Sequence, residues 1–208
     1  MCPKTSADRR RSGKEEILAF LPLLFQSADV GKLTGAPHLF LNRARKRGDI
    51  KCIVKGYYIN TWKAKITGKN PSIEQIACFV RRPSYISCEW ALSAHNVIDQ
   101  VPTVCTVITL VSSVGRRNRI DLEGTGIEYS KIKERLFWGY EFANNAYMAL
   151  PEKAILDTIY LRQKLPVSDE INWEFVDRGK LRNFLVSYPQ AVRSYLQNLD
   201  VGPMRDNY

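Results

Sequence analysis

Along the first quarter of the chain apolar residues recur every three or four positions, then give way to two short apolar runs split by Lys55-Gly56. Ser12 stands where it would cap a helix entered by Gly13-Lys14-Glu15-Glu16, with acids in the first turn as the helix dipole prefers. Ile17, Phe20, Leu21 and Leu24 then make one apolar stripe. Ser27 is set to cap a second, short helix, "ADVGKLTG", with Val30 and Leu33 inward and Gly35 ending it. Pro37 opens a third, "PHLFLNRARKRG", because its missing N–H is an orphan at that position anyway. With Phe40, Leu41 and Ala44 packed on the first two helices, His38, Asn42, Arg43 and Lys46 point outward and Arg45 sits at the edge. Gly48 closes the helix, and "IKCIV-KG-YYI" reads as a hairpin with its tight turn at Lys55-Gly56.

After Trp62, the polar "KAKITGKNPS" marks a boundary near residues 68–72. Beyond it, "SIEQIACFVRR" predicts a helix capped by Ser72, and Ser87 the cap of another containing Trp90, Ala91 and Leu92. "TVCTVITLVSS", rich in β-branched residues, predicts a buried strand. "RRNRIDLEGTGIEYSKI" predicts strand, turn and strand, and "GYEFANNAYMAL" one strand more. Helices follow over "PEKAILDTIYLRQ", opened by Pro151, "DRGKLRNFLVSY" and "QAVRSYLQNL". The expected fold class is α+β: a winged helix-turn-helix over residues 13–68, then an α+β domain over 70–208 with a small antiparallel or mixed sheet.

Charge sharpens this division. Residues 1–68 hold 14 Lys and Arg against 5 Asp and Glu, a net +9, whereas the remainder holds 17 against 16, a net +1. A basic end beside a neutral body points to a polyanion. A membrane surface would need a large apolar face opposite the cations, and here the three-helix core uses that face. "RRRSGKEEILAFLPLLF" imitates a signal peptide, but Glu15, Glu16 and Pro22 interrupt the pattern. The longest apolar runs, "ILAFLPLLF" and "VCTVITLV", fall well short of the roughly 18 residues of a membrane span. Five cysteines, odd in number and without a C-x-x-C pair, fit free thiols of a reducing cytosol better than zinc or disulfides. The expectation is cytoplasmic, with no metal and no cofactor.

On a helix lying in the major groove, Arg pairs bidentately with guanine and Asn with adenine. Lys51 and Lys55 of the wing would lie along phosphates, and Tyr57 or Tyr58 could reach one. The expected DNA-contacting set is His38, Asn42, Arg43, Arg45, Lys46, Lys51, Lys55 and Tyr57. Double-stranded DNA is the expected partner; single-stranded RNA would call for aromatics that stack on bases.

Four stretches in order, "RGDIKCIVKGYYI", "RPSYISCEWALSAHNVIDQVP", "VITLVSSVGRRNRI" and "YMALPEKAILDTIYL", resemble the AbiEi antitoxins of type IV (abortive-infection AbiE) toxin–antitoxin systems. Together they cover most of residues 25–165, while the last forty residues match only loosely. Asn96 stands where that family commonly has Gly, and Leu150 where a short, more polar residue is frequent. The resemblance implies a transcriptional repressor that binds inverted repeats in its own promoter. It also implies a C-terminal domain that counteracts a neighbouring nucleotidyltransferase toxin without a lasting complex. A chain that is monomeric in solution and pairs on the repeats is compatible with it.

Enzyme chemistry has thin support. Glu152 suits the first turn of its helix, Asp157 a pairing role, and His95 a helix C-terminus. "GTG" at Gly124–Gly126 lacks the context of a nucleotide fingerprint and reads as a hairpin turn. The rival is a metal-dependent nuclease, which commonly needs sheet acids and an Asp/Glu-x-Lys triplet. The one such triplet in the sequence, Asp49-Ile50-Lys51, falls in the wing; Asp121 and Glu123 could share one side of a strand, but no lysine follows them at the right place.

Overall fold

The computed structural model describes residues 6–112, 118–165 and 169–199. Cys2 and the 113–117 end of the predicted "TVCTVITLVSS" and "RRNRI" segments lie outside them. The described chain is α+β and divides between Ser72 and Ile73 into two compact units.

Pro22 reshapes the beginning of the first unit. A proline cannot supply the backbone donor a helix interior needs, and helix α1 (Ser6–Phe20) stops short of it. Leu24 therefore belongs not to the helix but to a strand, β1 (Leu24–Gln26). Because α1 starts at Ser6, Ser12 lies within its span rather than at its cap. The buried stripe runs through Leu18 and Leu21, while Phe20 is 77% exposed. At about 100° per residue Phe20 is turned far from both, so one helix face cannot bury all three.

Helix α2 (Ser27–Gly31) is shorter than its sequence suggests, and its N-cap is Gln26, not Ser27. The Asp29 carboxylate accepts the Gln26 N–H at 2.9 Å. The Leu33 and Thr34 N–H groups both turn back onto the Val30 carbonyl. The chain therefore leaves the helix well before Gly35, and Leu33 faces solvent rather than the core. Helix α3 (Pro37–Lys46) opens on Pro37 as expected and buries Leu41 and Ala44. Strands β2 (Lys51–Val54) and β3 (Tyr57–Ile59) form a hairpin whose Gly56 has φ +90°. β1 pairs with the other edge of β3, giving a three-stranded antiparallel sheet in the order β1-β3-β2. Leu18, Leu21, Phe25, Val30, Leu41, Ala44 and Ile50 form the core of the unit.

Where the sequence reads as linker, the structure has another helix, α4 (Thr61–Thr67). Its N-cap, Asn60, is fully buried and accepts the Lys63 N–H at 2.9 Å. The Asn60 amide donates to the carbonyls of Leu18 (2.8 Å) and Leu21 (3.3 Å). Lys63 Nζ donates to those of Ala19 and Leu21, each at 2.8 Å. The end of α1 thus has its orphan carbonyls satisfied from forty residues away. No local periodicity announces such a helix.

In the second unit come α5 (Ile73–Val80), β4 (Ser84–Ser87), α6 (Cys88–Ala94), β5 (Val104–Thr109), β6 (Arg119–Leu122) and β7 (Thr125–Lys131). They are followed by β8 (Tyr140–Ala143), β9 (Ala146–Ala149), α7 (Pro151–Arg162), α8 (Arg178–Leu185) and α9 (Gln190–Asn198). The strands make one mixed sheet, β6-β7-β5-β4-β9-β8, in which β5 is parallel to β7 and β4 to β9. Two corrections apply. β4 is a strand that the sequence reading folded into the approach to α6. Residues 140–149 are a hairpin, not one strand, because Asn144 and Asn145 turn the chain at φ +52° and +61°. Alternation sorts the faces: Tyr85 and Ile108 join the core beneath α6 and α7. Ile86, Val107 and Tyr129 point the other way, and the Tyr129 hydroxyl donates to the Ala77 carbonyl of α5 at 2.8 Å. Among the described residues no helix is long and apolar enough to cross a membrane.

Candidate nucleic-acid interface

Burial of Leu41 and Ala44, with Phe40 half-buried, fixes the rotation of α3. The opposite side carries His38, Asn42, Arg43, Arg45 and Lys46, all exposed. None of these five pairs with a carboxylate among the described residues, so their hydrogen-bonding capacity faces outward. Clustered cations at the C-terminal end of a helix are also favoured by its dipole. Leu39, 49% exposed on this same face, is a residue the sequence reading missed. An apolar residue inside a polar stripe was the available signal, and such a side chain can contact a thymine methyl.

Arg47 is spent differently. Its Nε donates to Asp49 Oδ2 at 2.7 Å, and Lys14 Nζ approaches the same oxygen at 3.5 Å. Asp49 is thus shared between two cations at the point where α3 passes into β2. On the hairpin, Lys55 is exposed at the turn, whereas Lys51 and Tyr57 are half-buried in their strands. Tyr57 is opposite Gln26 and Val54, and Tyr58 alternates to the core side, its ring stacked on Phe25 at 5.4 Å. Burial raises the Tyr58 phenol above its ordinary value, which keeps it neutral. The unit therefore brings five of the expected contact residues onto one helix face and a sixth to the hairpin tip.

In the second unit the titratable side chains gather around Asp157 in the core. Asp157 is buried and accepts from Tyr188 Oη (2.7 Å), Ser87 Oγ (2.8 Å) and Tyr85 Oη (3.0 Å). It also pairs with Lys153 Nζ, one turn earlier on α7, which donates to Tyr188 Oη at 2.7 Å. Ser87 thus occupies the N-cap position of α6 but gives its hydroxyl to Asp157 rather than to the helix. Burial pulls the Lys153 ammonium below its ordinary value despite Asp157, and pushes the Tyr85 and Tyr188 phenols up. No solvent reaches Lys153 or Asp157, so the cluster clamps β4, α7 and the segment after α8 together. Glu152, also buried, accepts the Asp177 N–H at 2.7 Å. Cys88 stands at the β4-to-α6 junction with φ +56°, yet it is fully buried and burial pushes its thiol up. A thiol held protonated is no nucleophile. His95 Nε2 donates to the Ala149 carbonyl at 2.9 Å, which occupies the ring structurally.

The nuclease residues do not converge either. Asp49 is engaged by Arg47 and Lys14 in the first unit. Asp121 lies exposed on β6 beside Arg119 at 3.2 Å, and Glu123 sits in the β6–β7 turn at φ +52° rather than on the strand. Among the described residues no group of three or more His, Cys, Asp or Glu could hold a metal ion. The chain matches no model of a known protein family and no curated protein sequence.

Proposed function

We propose that the N-terminal unit is a winged helix-turn-helix that binds duplex DNA, and that the chain is a transcriptional repressor of its own operon. The observation that carries this reading is the outward face of α3, where Asn42, Arg43 and Lys46 stand uncommitted beside a hairpin tipped by Lys55. α2 and α3 provide the two helices of the motif, and the β1-β3-β2 sheet the base of the wing. Asn42 and Arg43 read base edges; Lys55 holds phosphate. Cations massed on the N-terminal third favour a polyanion over a neutral partner.

The C-terminal unit, in the reading suggested by its resemblance to the AbiEi family, is the antitoxin: it counteracts a nucleotidyltransferase toxin encoded beside it. It does so as a binding or signalling module rather than an enzyme, in the cytoplasm, where free cysteines such as Cys52, Cys78, Cys88 and Cys105 are at home. A metal-dependent nuclease would need acids that this chain scatters between a hairpin turn, an exposed strand and an ion pair.

The test is a titration of the full chain with a duplex of its own promoter, against the single strand of the same sequence and an unrelated duplex. Preference for the promoter duplex is expected, with protection of both halves of an inverted repeat. Protection of one isolated half-site, or equal affinity for the single strand, overturns the repressor reading. In cells, an Arg43→Ala chain should derepress the promoter yet still rescue growth from the neighbouring toxin. Loss of rescue in that folded variant would mean the two activities are not divided between the two units.

A further inference from the structure

In the C-terminal unit an open cleft of about 900 Å3 lies between α5, the start of β4 and the β8–β9 hairpin. Small-molecule sites have volumes of roughly 300–1,000 Å3 and combine apolar walls with a few placed polar groups. This one is walled by Phe79, Phe137, Tyr140, Phe142 and Tyr147. Phe142 and Tyr147 are 62% and 46% exposed although their rings touch, with centroids 5.1 Å apart. Tyr147 also meets Tyr140 edge-on at 5.6 Å. Arg82 is the one charged residue of the lining, and no carboxylate joins it there. Its guanidinium lies 5.5 Å from the Phe79 ring centroid, and among the described residues it has no ion-pair partner. At the rim, Asn145 contributes an amide able both to donate and to accept.

We propose that this cleft binds a nucleotide: its base stacks on Phe142 and Tyr147, its phosphate pairs with Arg82, and Asn145 meets the base edge. Planar faces with an adjacent unpaired guanidinium suit a ligand that is both aromatic and anionic. An apolar peptide laid along the edge strand β8 would cover the rings but leave Arg82 buried without an anion, at a desolvation cost. A nucleotide satisfies both features. Stacking tolerates any base, so the cleft discriminates nucleotide from other anions more than one base from another. The same chemistry comes from a free nucleotide or from a single-stranded nucleic acid, and the inference is independent of whether the N-terminal unit reads duplex DNA.

The full chain is titrated with ATP, UTP, inorganic triphosphate and a single-stranded RNA hexamer carrying 2-aminopurine, whose fluorescence is quenched on stacking. Binding of the nucleotides or the hexamer is expected, with triphosphate alone much weaker. Saturable binding of ATP and UTP assigns a free nucleotide; binding of the hexamer only assigns a strand. Phe142→Ala should weaken the bound probe about 5- to 150-fold, the range that loss of one stacked base produces. Arg82→Ala should weaken it too, with partial recovery in Arg82→Lys. Val186→Ala, at an exposed position outside the lining of the cleft, should leave the quench unchanged. Phe142 and Arg82 are exposed, so circular dichroism and melting temperature should match the parent. The proposal is overturned if no base-bearing probe binds, if Phe142→Ala and Tyr147→Ala bind the probe as the parent does, or if an extended aromatic peptide occupies the cleft and nucleotides do not.

Discussion

At Asn96 the chain turns through φ +58°, just past the end of α6. The Asn96 N–H bonds the Ser93 carbonyl at 3.0 Å and the Val97 N–H bonds that of Leu92 at 2.9 Å, the paired pattern of a Schellman motif. Val97 and Leu92 are both buried, completing the apolar contact of that motif. This left-handed conformation is one that favours glycine. Asn is the residue after Gly that best tolerates it. Asn96→Gly should therefore leave stability nearly unchanged, whereas Asn96→Ala should cost about 1 kcal/mol in urea denaturation. On the basic helix the same scale separates readout from affinity. Arg43→Ala should cost roughly 1–3 kcal/mol for the cognate duplex and relax preference at one base pair. Lys55→Ala, at the hairpin tip, should weaken all duplexes alike and flatten the salt dependence by about one counterion. Anisotropy titrations at several salt concentrations distinguish the two outcomes. Equal loss on every sequence with Arg43→Ala would remove it from the base-reading set.

Among the elements, α7 has the least expected interior. Glu152, Lys153, Asp157 and Thr158 are all buried on it, interleaved with the equally buried Ala154, Ile155, Leu156 and Ile159. Lys153 and Asp157 pair one turn apart, and the Lys153 ammonium lies 5.3–5.4 Å from the ring centroids of Tyr85, Trp138 and Tyr188. Replacing Asp157 by Ala would leave that ammonium buried without its counterion and would strand the hydroxyls of Ser87, Tyr85 and Tyr188. A loss of about 3–5 kcal/mol is expected, the range for breaking a buried pair from one side. Tryptophan fluorescence during urea unfolding would report it. A variant within about 0.5 kcal/mol of the parent would show that the cluster contributes no net stability. The first unit depends similarly on distant polar contacts: Asn60 and Lys63 hold the end of α1, although Lys63 belongs to a stretch that reads as linker.

Over the whole molecule, buried acids that must stay neutral set the alkaline limit. Burial raises the thiols of Cys78, Cys88 and Cys105 above their ordinary 9.0, and the phenols of Tyr58, Tyr85 and Tyr188 above 10.0. As pH climbs past those ordinary values the unfolded chain releases protons that the folded chain keeps, so stability falls. Lys153 acts in the opposite sense. Its folded value lies below 10.5, so the unfolded chain holds the extra proton and stability rises with pH up to that point. One opposing group against six leaves the decline dominant. Unfolding free energy should start to drop near pH 9 and drop more steeply above pH 10. Urea midpoints that stay level from pH 8 to 11 would contradict this.

What the sequence by itself determined is local. Pro37 and Pro151 open their helices because each lacks the N–H that a first turn leaves unpaired. Leu41 and Ala44 turn the basic face of α3 outward, and Lys55-Gly56 turns its hairpin. Each of these is set by neighbours within four residues, so spacing suffices to read it. The tertiary structure alone decided where distant polar groups meet. It made β1 a strand by pairing Leu24 with Ile59, and built α4 on a cap whose partners lie in α1. It brought Asp157 to Ser87 across seventy residues, and gathered Phe79, Arg82, Phe142 and Tyr147 around one cleft. Hydrogen bonds and ring contacts across such separations depend on how sheets and helices stack, and side-chain periodicity carries no record of that.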